Sequence, residues 1–233
     1  MKVLIINGSP KSKNSETLKL TKTFVSGMDV KAKEIDTINC DIRPCLGCYK
    51  CWKKESRKCC VNDDMHKILR KMKDSDVIIW STPLFCYSVP STMKALLDRM
   101  TSLLAPEIIE LSDGSKSYPA IDAFNAKHVL ISGSPLPEAD NCFDAIKFQF
   151  KHMFGEDIEM ILCSENKLFN ITGAQTVANE YLKTIEKAGK EFVEFGHILR
   201  ETHEKLAEPM LPTDIYIESV NSNVTPNSDT DNN

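Results

Sequence analysis

The chain begins with Lys2-Val3-Leu4-Ile5-Ile6, continues with Asn7-Gly8-Ser9-Pro10-Lys11-Ser12-Lys13-Asn14-Ser15, and then turns apolar again at Leu18 and Leu20. The first run is apolar and rich in β-branched residues, which is typical of a fully buried strand. The second run is a polar loop, and a helix is predicted to open near Ser15. A helix start that follows a strand and a polar loop presents free backbone N–H groups and the positive end of the helix dipole to an anion. This stretch therefore predicts a phosphate-binding loop.

The side chains of the loop fit that interpretation without proving it. Hydroxyl, amide and ammonium donors are supplied by Ser9, Lys11, Ser12, Lys13, Asn14, Ser15 and Thr17. The loop is neither the G-x-G-x-x-G of dinucleotide sites nor the G-x-x-x-x-G-K-[ST] of nucleoside triphosphate sites. The alternative interpretation is an ordinary strand-to-helix loop with a serine N-cap.

Composition excludes several classes of protein. The chain has 233 residues, of which 42% are hydrophobic and 27% charged, as expected for one α/β domain. A net charge of −4 gives a nucleic-acid partner no overall electrostatic support. No apolar run reaches the roughly 18 residues that a membrane span needs. Because the chain starts directly with a strand and not with a signal peptide, we expect a cytoplasmic location.

Strand and helix patterns alternate along the chain. Apolar or alternating runs predict five strands, at residues 2–6, 33–38, 76–81, 127–132 and 157–163. Helical spacing predicts helices at 15–27, 63–72, 91–104, 141–154 and 174–200, with Asp63-Asp64 as the cap of the second. This alternation predicts a five-stranded parallel sheet in the order 2-1-3-4-5 with helices on both faces. Its first, third and fourth strands are followed by loops at 8–15, 83–88 and 133–137, which we expect to meet in one crevice at the carboxyl edge.

The motifs in these loops resemble a known family. The resemblance is carried by Gly8-Ser9-Pro10-Lys11, by Thr82-Pro83-Leu84-Phe85, and by Ser88-Val89-Pro90-Ser91-Thr92-Met93-Lys94 with Asp98-Arg99. In this order they are similar to the NADPH-dependent FMN reductases, which are flavodoxin-like NAD(P)H-dependent oxidoreductases. Pro44-Cys45-Leu46-Gly47-Cys48-Tyr49-Lys50-Cys51-Trp52 resembles the cysteine-bearing branch of that family, which includes the iron–sulfur flavoproteins.

The resemblance implies a flavodoxin-like three-layer sandwich that holds FMN in the crevice, with NAD(P)H as co-substrate. The phosphate would be held by Ser9, Lys11, Asn14, Ser15 and Thr17. The ring would be flanked by Pro83, Leu84, Phe85, Tyr87 and Ser88, and backbone groups at Ser132 and Gly133 would reach its polar edge. Lys11 stands where the family more often has Arg, and Glu16 where a small polar residue is common.

Five of the nine cysteines lie between Cys45 and Cys60. The spacing Cys45-x2-Cys48-x2-Cys51-x7-Cys59 is that of a [4Fe–4S] ligand set, although the neighbouring Cys60 makes the fourth ligand ambiguous. Zinc, a redox-active pair of Cys48 with Cys51, and reduced structural thiols are the alternatives. Cys40, Cys86, Cys142 and Cys163 stand in or beside apolar segments and are expected to fill the core.

Together these observations predict an FMN-dependent oxidoreductase that passes electrons from NAD(P)H or ferredoxin to a small-molecule acceptor such as a quinone, a nitro compound or a flavin. An electron carrier without nicotinamide turnover and a metal- or redox-sensing module are the alternatives. The resemblance further implies a homodimer or homotetramer. The predicted organisation is a domain at 1–203 with a cysteine-rich insertion at 40–62, an extended arm at 204–218 and a disordered tail at 219–233.

Overall fold

The computed structural model describes residues 1–53, 58–110, 114, 116–119, 126–137 and 139–223. Its strands are β1 Val3–Asn7, β2 Ala32–Asp36, β3 Val77–Pro83, β4 Ile109–Glu110, β5 Lys116–Ser117, β6 Lys127–Gly133 and β7 Glu159–Cys163. Its α-helices are α1 Glu16–Gly27, α2 Met65–Lys73, α3 Ser91–Arg99, α4 Ala139–Cys142, α5 Asp144–Phe154, α6 Gln175–Phe195, α7 Arg200–Ala207 and α8 Thr213–Ser222.

The main sheet is parallel and has the order β2-β1-β3-β6-β7. Among the described residues, the two-residue strands β4 and β5 pair with each other alone, in an antiparallel ladder. Without them the order is 2-1-3-4-5, so the predicted flavodoxin-like topology is confirmed. In the described part of the chain, no helix is both long and apolar enough to cross a bilayer.

Strand β1 lies inside the sheet, and all five of its residues are buried. Because side chains alternate across a strand, Val3 and Ile5 pack into the core on the α1 and α6 side, and Leu4 and Ile6 pack into the core on the α2, α3 and α5 side. A strand covered on both faces needs the continuous apolar run that the sequence shows.

Helix α6 is shorter than predicted. The pattern predicted one helix over 174–200, whereas α6 ends at Phe195 and a separate helix, α7, begins at Arg200. Gly196 adopts a left-handed conformation with φ 80°, which ends the helix. A glycine in this conformation is the commonest way to stop an α-helix.

The predicted extended arm is wrong in its conformation. The expected boundary before Glu204 falls inside α7, and residues 213–222 form α8. Pro212 stands at the N-cap of α8, where a missing N–H costs nothing. Tyr216 is buried with Leu168, which lies in the 3-10 turn Asn166–Asn170. The predicted tail begins within α8 at residue 219, and its residues 224–233 lie outside the described part of the chain.

Helices α1 and α6 cross at two glycines. A Cβ added at Gly189 would lie 2.1 Å from the Phe24 carbonyl oxygen, and one added at Gly27 would lie 2.0 Å from the Glu186 carbonyl oxygen. Both obstacles are backbone atoms, so neither helix can yield by turning a side chain. The crossing therefore requires glycine at both positions.

We expect Gly189→Ala to lower the free energy of unfolding by about 1–3 kcal/mol, because the two helices must move apart. This is a net loss, since alanine by itself favours a helix by about 1 kcal/mol over glycine. Urea unfolding measures it. The matched control is Gly173→Ala, where the described residues place no atom within 4 Å of the added Cβ. Equal stability of the two variants would contradict the close crossing.

Candidate functional site

The three predicted loops meet at the carboxyl edge of the sheet. They follow β1, β3 and β6, which are neighbours in the sheet. The Gly8 N–H donates to the Ser81 carbonyl over 2.8 Å, and the Leu84 N–H donates to the Gly133 carbonyl over 2.9 Å. Backbone hydrogen bonds thus connect the loop after β1 to β3, and the loop after β3 to β6.

The loop after β1 turns sharply before α1 begins. Ser12 has φ 48°, and residues 12–14 form a 3-10 turn. Ser15 is buried and caps α1, since its hydroxyl oxygen accepts a hydrogen bond from the Leu18 N–H at 3.2 Å. The N–H groups at the start of α1 have no acceptor inside the helix, so they face the end of the loop as an anion site requires.

Asp36, at the end of β2, supports this loop from beneath. Its carboxylate accepts hydrogen bonds from the Asn7 amide at 2.5 Å and from the Ser12 hydroxyl at 2.7 Å. The Asn7 side-chain oxygen in turn accepts from the Ser9 N–H at 3.1 Å. The sequence pattern did not single out Asp36, because nothing local shows that β2 ends beside the loop.

The charge of Lys11 is already paired. Its ammonium lies 2.7 Å from the Glu16 carboxylate, which also accepts a hydrogen bond from the Asn170 amide at 2.5 Å. Burial by itself would raise the pKa of Glu16, but the hydrogen bond and charge of Lys11 outweigh it and lower that pKa. Glu16 is therefore ionised at neutral pH and competes for the lysine with any anion in the loop.

The loop after β3 contains a tight two-residue turn. Phe85 and Ser88 exchange backbone hydrogen bonds of 2.8 and 2.9 Å, and the residues between them, Cys86 and Tyr87, have φ 47° and 63°. Glycine or asparagine usually occupies such positions. The turn projects Phe85 and Tyr87 into solvent, with 48% and 60% of their surface exposed, while Pro83, Leu84 and Ser88 are half-buried.

The end of β6 is closely packed from two sides. A Cβ on Gly133 would lie 3.0 Å from the Thr17 hydroxyl and 2.8 Å from the Asn166 amide nitrogen. The Ser132 hydroxyl is buried and has no hydrogen-bond partner among the described residues. A buried hydroxyl of this kind lowers stability unless a hydrogen-bond partner satisfies it.

The C-terminal segment fastens the loop after β6. The buried Glu165 carboxylate accepts hydrogen bonds from the Met210 and Leu211 N–H groups at 2.7 and 3.2 Å. The Tyr216 hydroxyl donates to the Pro135 carbonyl. Burial raises the pKa of Glu165 in spite of its two backbone donors. Helix α8 therefore supports the third loop of the crevice.

The five clustered cysteines lie in one loop. Cys45, Cys48 and Cys60 are exposed, Cys59 is half-buried and Cys51 is buried. The Cys48 and Cys60 sulfurs lie 3.7 Å apart. Hydrogen bonds from the Lys50 N–H and from Cys60 lower the pKa of the Cys48 thiol. Among the described residues, no three Cys, His, Asp or Glu side chains meet closely enough to hold one metal ion.

A buried ion pair closes the neck of this loop, which is the place where its two ends, at Arg43 and Val61, come together. Arg99, at the end of α3, donates to both carboxylate oxygens of Asp63 at 2.7 and 3.0 Å, and both side chains are fully buried. The same guanidinium donates to the Arg43 carbonyl at 2.9 Å and the Val61 carbonyl at 3.4 Å. The entry and the exit of the cysteine loop are thus held by one side chain.

Asp63 therefore has a second role besides the predicted one of capping α2. Its oxygen does accept from the Met65 N–H at 3.1 Å, but the buried pair with Arg99 dominates its environment. Burial alone would raise the pKa of Asp63, and the hydrogen bonds from Arg99 and from the Arg43 N–H lower it. The Asp98-Arg99 motif was the only sequence signal of this pair.

The four remaining cysteines differ in burial. Cys142 and Cys163 are buried, as predicted, and Cys40 is half-buried. For Cys86 the expected core position is wrong, because it stands in the exposed turn between Phe85 and Ser88.

A large cavity lies away from the three loops. It measures about 850 Å³ and lies at the amino ends of β6 and β7, beside Lys127, His128 and Glu159. Burial lowers the pKa of His128 to about 4, so this histidine is neutral at pH 7. A second hollow of about 640 Å³ lies beside the first loop and includes Asn14 and Ser15.

The structure therefore places the predicted cofactor residues on three adjoining loops and on the strand and helix ends that flank them, with Lys11 turned to Glu16 and the aromatic side chains exposed. It places Cys45, Cys48, Cys51 and Cys59 on one loop without assembling them around a point. Their roles stay predictions. The residues that sequence reasoning missed are Asp36, Glu16 as the partner of Lys11, Glu165, and the pair Asp63–Arg99.

Comparison with known proteins identifies the relatives of this chain. The family model described as NADPH-dependent FMN reductase matches residues 1–136. An iron-sulfur flavoprotein of Methanocaldococcus jannaschii is 34% identical over 105 residues, which are 44% of this chain and 53% of that protein. An iron-sulfur flavoprotein of Archaeoglobus fulgidus is 35% identical over 100 residues, which are 42% of this chain and 48% of that protein. The match thus spans about half the length of each relative.

Solved structures share the fold at low sequence identity. An FMN-dependent NADH-azoreductase from Bacillus anthracis superposes with a TM-score of 0.60 and 17% identity, covering 83% of this chain and 100% of that one. An NAD(P)H:quinone oxidoreductase from Methanothermobacter marburgensis has a TM-score of 0.56 and 13% identity, covering 82% and 95%. At these identities the likeness concerns the fold alone.

Proposed function

Because this chain belongs to the NADPH-dependent FMN reductase family, we propose that it is an FMN-dependent oxidoreductase that takes electrons from NAD(P)H. The observation that carries the proposal is the meeting of three loops at the carboxyl edge of β1, β3 and β6, linked by the Gly8–Ser81 and Leu84–Gly133 hydrogen bonds. Ligands of open parallel sheets bind at this edge.

The phosphate end of FMN is assigned to the loop after β1. Backbone N–H groups at the start of α1 would donate to it, together with the side chains of Ser9, Asn14, Ser15 and Thr17. Lys11 would add charge once it leaves Glu16. The support from Asp36 gives the loop its shape before the ligand arrives, which lowers the entropic cost of binding.

The ring end is assigned to the other two loops. Pro83, Leu84 and Ser88 would form one wall, and the exposed rings of Phe85 and Tyr87 would cover apolar surface of the ring. The Ser132 hydroxyl and the backbone at Gly133 fit its polar edge, because this buried hydroxyl finds no hydrogen-bond partner in the described part of the chain and needs one.

FMN, when bound, accepts hydride and passes electrons on to an acceptor. The chain needs no nucleophile or general base for that chemistry. Its own residues anchor the phosphate, orient the ring and limit the access of water. A quinone, a nitro compound or a flavin is the proposed class of acceptor.

The cysteine loop is proposed to hold a [4Fe–4S] cluster through Cys45, Cys48, Cys51 and Cys59. Thiolates are the ligands of such clusters, and one loop closed at its neck supplies them all. Cys59 is half-buried at the exit of this loop, two residues before the Val61 carbonyl that the Arg99 guanidinium holds. Relatives named iron-sulfur flavoproteins support this assignment.

The second candidate function is an iron–sulfur flavoprotein that carries electrons without nicotinamide turnover. The names of the relatives favour it. Lys50, Lys53 and Lys58 are exposed around the cysteines, so a negatively charged electron donor such as ferredoxin would fit this surface.

A homodimer or homotetramer is also proposed, because a second copy could cover the exposed Phe85 and Tyr87.

Turnover separates the two candidates. The protein is purified without oxygen, its flavin, iron and zinc are quantified, and NADH and NADPH oxidation is followed with a quinone acceptor. Steady turnover that depends on FMN supports the reductase. Bound FMN and iron with no turnover on either nucleotide would favour the carrier, and failure to bind FMN at all would contradict both.

We expect Glu16→Gln to tighten FMN binding by about three- to tenfold at low salt, because it frees the Lys11 ammonium and removes a negative charge near the phosphate. The gain should shrink as ionic strength rises. Quenching of FMN fluorescence measures the dissociation constant. Glu34→Gln is the control, since it removes the same charge from the Lys22 pair. Weaker or unchanged binding in Glu16→Gln would show that Lys11 does not serve the phosphate.

A further inference from the structure

The cysteine loop has one thiol more than a cubane cluster needs. Four thiolates complete a [4Fe–4S] cluster, and the loop carries five cysteines. The surplus residue is Cys60, whose sulfur lies 3.7 Å from that of Cys48. Both side chains are exposed to solvent, so small molecules can reach the pair.

The two adjacent cysteines at the end of the loop have different partners. Cys60 contacts Cys48, whereas Cys59 is half-buried and its carbonyl oxygen lies 3.1 Å from the His66 Nε2. Because Arg99 holds the Arg43 and Val61 carbonyls, both ends of the loop are fixed close to these residues. The contact between Cys48 and Cys60 thus lies in a loop whose two ends are fixed.

The loop leaves room for the remaining approach. A disulfide needs its sulfurs about 2.05 Å apart, so the pair must close by less than the width of one atom. Gly47, beside Cys48, has φ 60°, and no atom of the described residues lies within 4 Å of where its Cβ would be. The backbone next to Cys48 is thus unobstructed.

We propose that Cys48 and Cys60 form a reversible disulfide that removes Cys48 from the ligand set and so prevents assembly of the cluster. The blocking role rests on the proposed cluster; the disulfide itself does not. Cys60 then is not a ligand, and its oxidation state decides whether Cys48 is free to bind the cluster.

The reaction is a thiol–disulfide exchange with a low-molecular-weight disulfide such as oxidised glutathione. The Cys48 thiolate attacks one sulfur of the reagent and releases the first glutathione thiol. The Cys60 thiolate then attacks the Cys48 sulfur of the mixed disulfide, forms the Cys48–Cys60 bond and releases the second thiol. The protein loses two electrons and two protons, and one glutathione disulfide becomes two thiols.

Peptide mapping tests the pairing without any metal. The full-length reduced, metal-free chain is treated with oxidised glutathione, its remaining thiols are alkylated, and trypsin products are analysed by mass spectrometry. The expected product joins residues 34–50 to residues 59–67. Cys60→Ser should reduce this product at least tenfold, while the matched variant Cys59→Ser should retain it. A product that persists in Cys60→Ser, or is lost only in Cys59→Ser, would overturn the pairing.

Iron uptake tests the consequence. Oxidised wild type should incorporate less than a tenth of the iron that the reduced protein takes up from ferrous iron and sulfide, and dithiothreitol should restore it. Oxidised Cys60→Ser should incorporate iron as the reduced wild type does. Equal uptake by oxidised and reduced wild type would refute the blocking role. If reduced wild type takes up no iron, the cluster assignment fails, and peptide mapping still decides the disulfide.

Discussion

Arg99→Ala is expected to destabilise the protein by about 3–5 kcal/mol, because it leaves the buried Asp63 carboxylate without its partner. Both side chains of the pair are fully buried, and the guanidinium also donates to two backbone carbonyls. These carbonyls, of Arg43 and Val61, would become unsatisfied as well. Urea unfolding at neutral pH measures the loss.

Two companion variants separate the charge from the shape. Arg99→Met combined with Asp63→Leu should cost clearly less than Arg99→Ala alone, since no charge is then left buried. Arg99→Lys should recover only part of the loss, because an ammonium cannot reproduce the two parallel bonds of a guanidinium. Lys94→Ala, which breaks the exposed pair with Asp98, is the control. If Arg99→Ala lowers the free energy of unfolding by no more than Lys94→Ala does, the buried pair does not hold the loop.

The same pair should appear in the pH dependence of stability. The pKa of Asp63 is lower in the folded protein than its ordinary value, so the folded state binds the proton less readily than the unfolded chain. The stabilisation is therefore complete above the ordinary pKa and is lost as the pH falls through the lower, folded-state pKa. Below about pH 4, the stability of Arg99→Ala should fall less steeply than that of the wild type.

Asp36→Ala is expected to weaken FMN binding by at least about tenfold, although it removes a negative charge near the phosphate loop. Charge alone predicts tighter binding. The loss follows from preorganisation, because the Asp36 carboxylate holds Asn7 and Ser12, and Asn7 holds the Ser9 N–H. Hydrogen bonds to a charged group are worth about 1.5–3 kcal/mol each, so some stability is lost with them.

The dissociation constant is measured by fluorescence titration at a temperature where the variant remains folded, as circular dichroism verifies. Glu34→Ala, on the same strand β2, is the control for loss of a carboxylate away from the loop. Asp36→Asn should lie between the wild type and Asp36→Ala, because an amide keeps one acceptor oxygen. Tighter binding in Asp36→Ala would show that its charge, not the support of the loop, governs the site.

The sequence predicted the sheet well for a physical reason. A strand buried on both faces requires an uninterrupted apolar run, and the runs at Val3–Ile6, Val77–Trp80 and Val129–Ile131 were visible as such. Their alternation with helical patterns then left few topologies, because crossovers between parallel strands are right-handed. The helix ends were less accurate, since Gly196 and Pro212 act through local geometry that the apolar pattern does not reveal.

By itself, the sequence determined the fold class, the loop before α1, the grouping of five thiols and the family of the chain. These are local properties, set by residues close together in the chain. Only the tertiary structure decided that Lys11 is paired with Glu16, that Asp36 supports the first loop, that Arg99 closes the cysteine loop on Asp63, and that Cys60 contacts Cys48. The Lys11–Glu16 and Cys48–Cys60 contacts each lie within one segment, and the other contacts join residues from separate segments. Their partners are chosen by how the sheet and helices bring loop ends together, which no local pattern encodes.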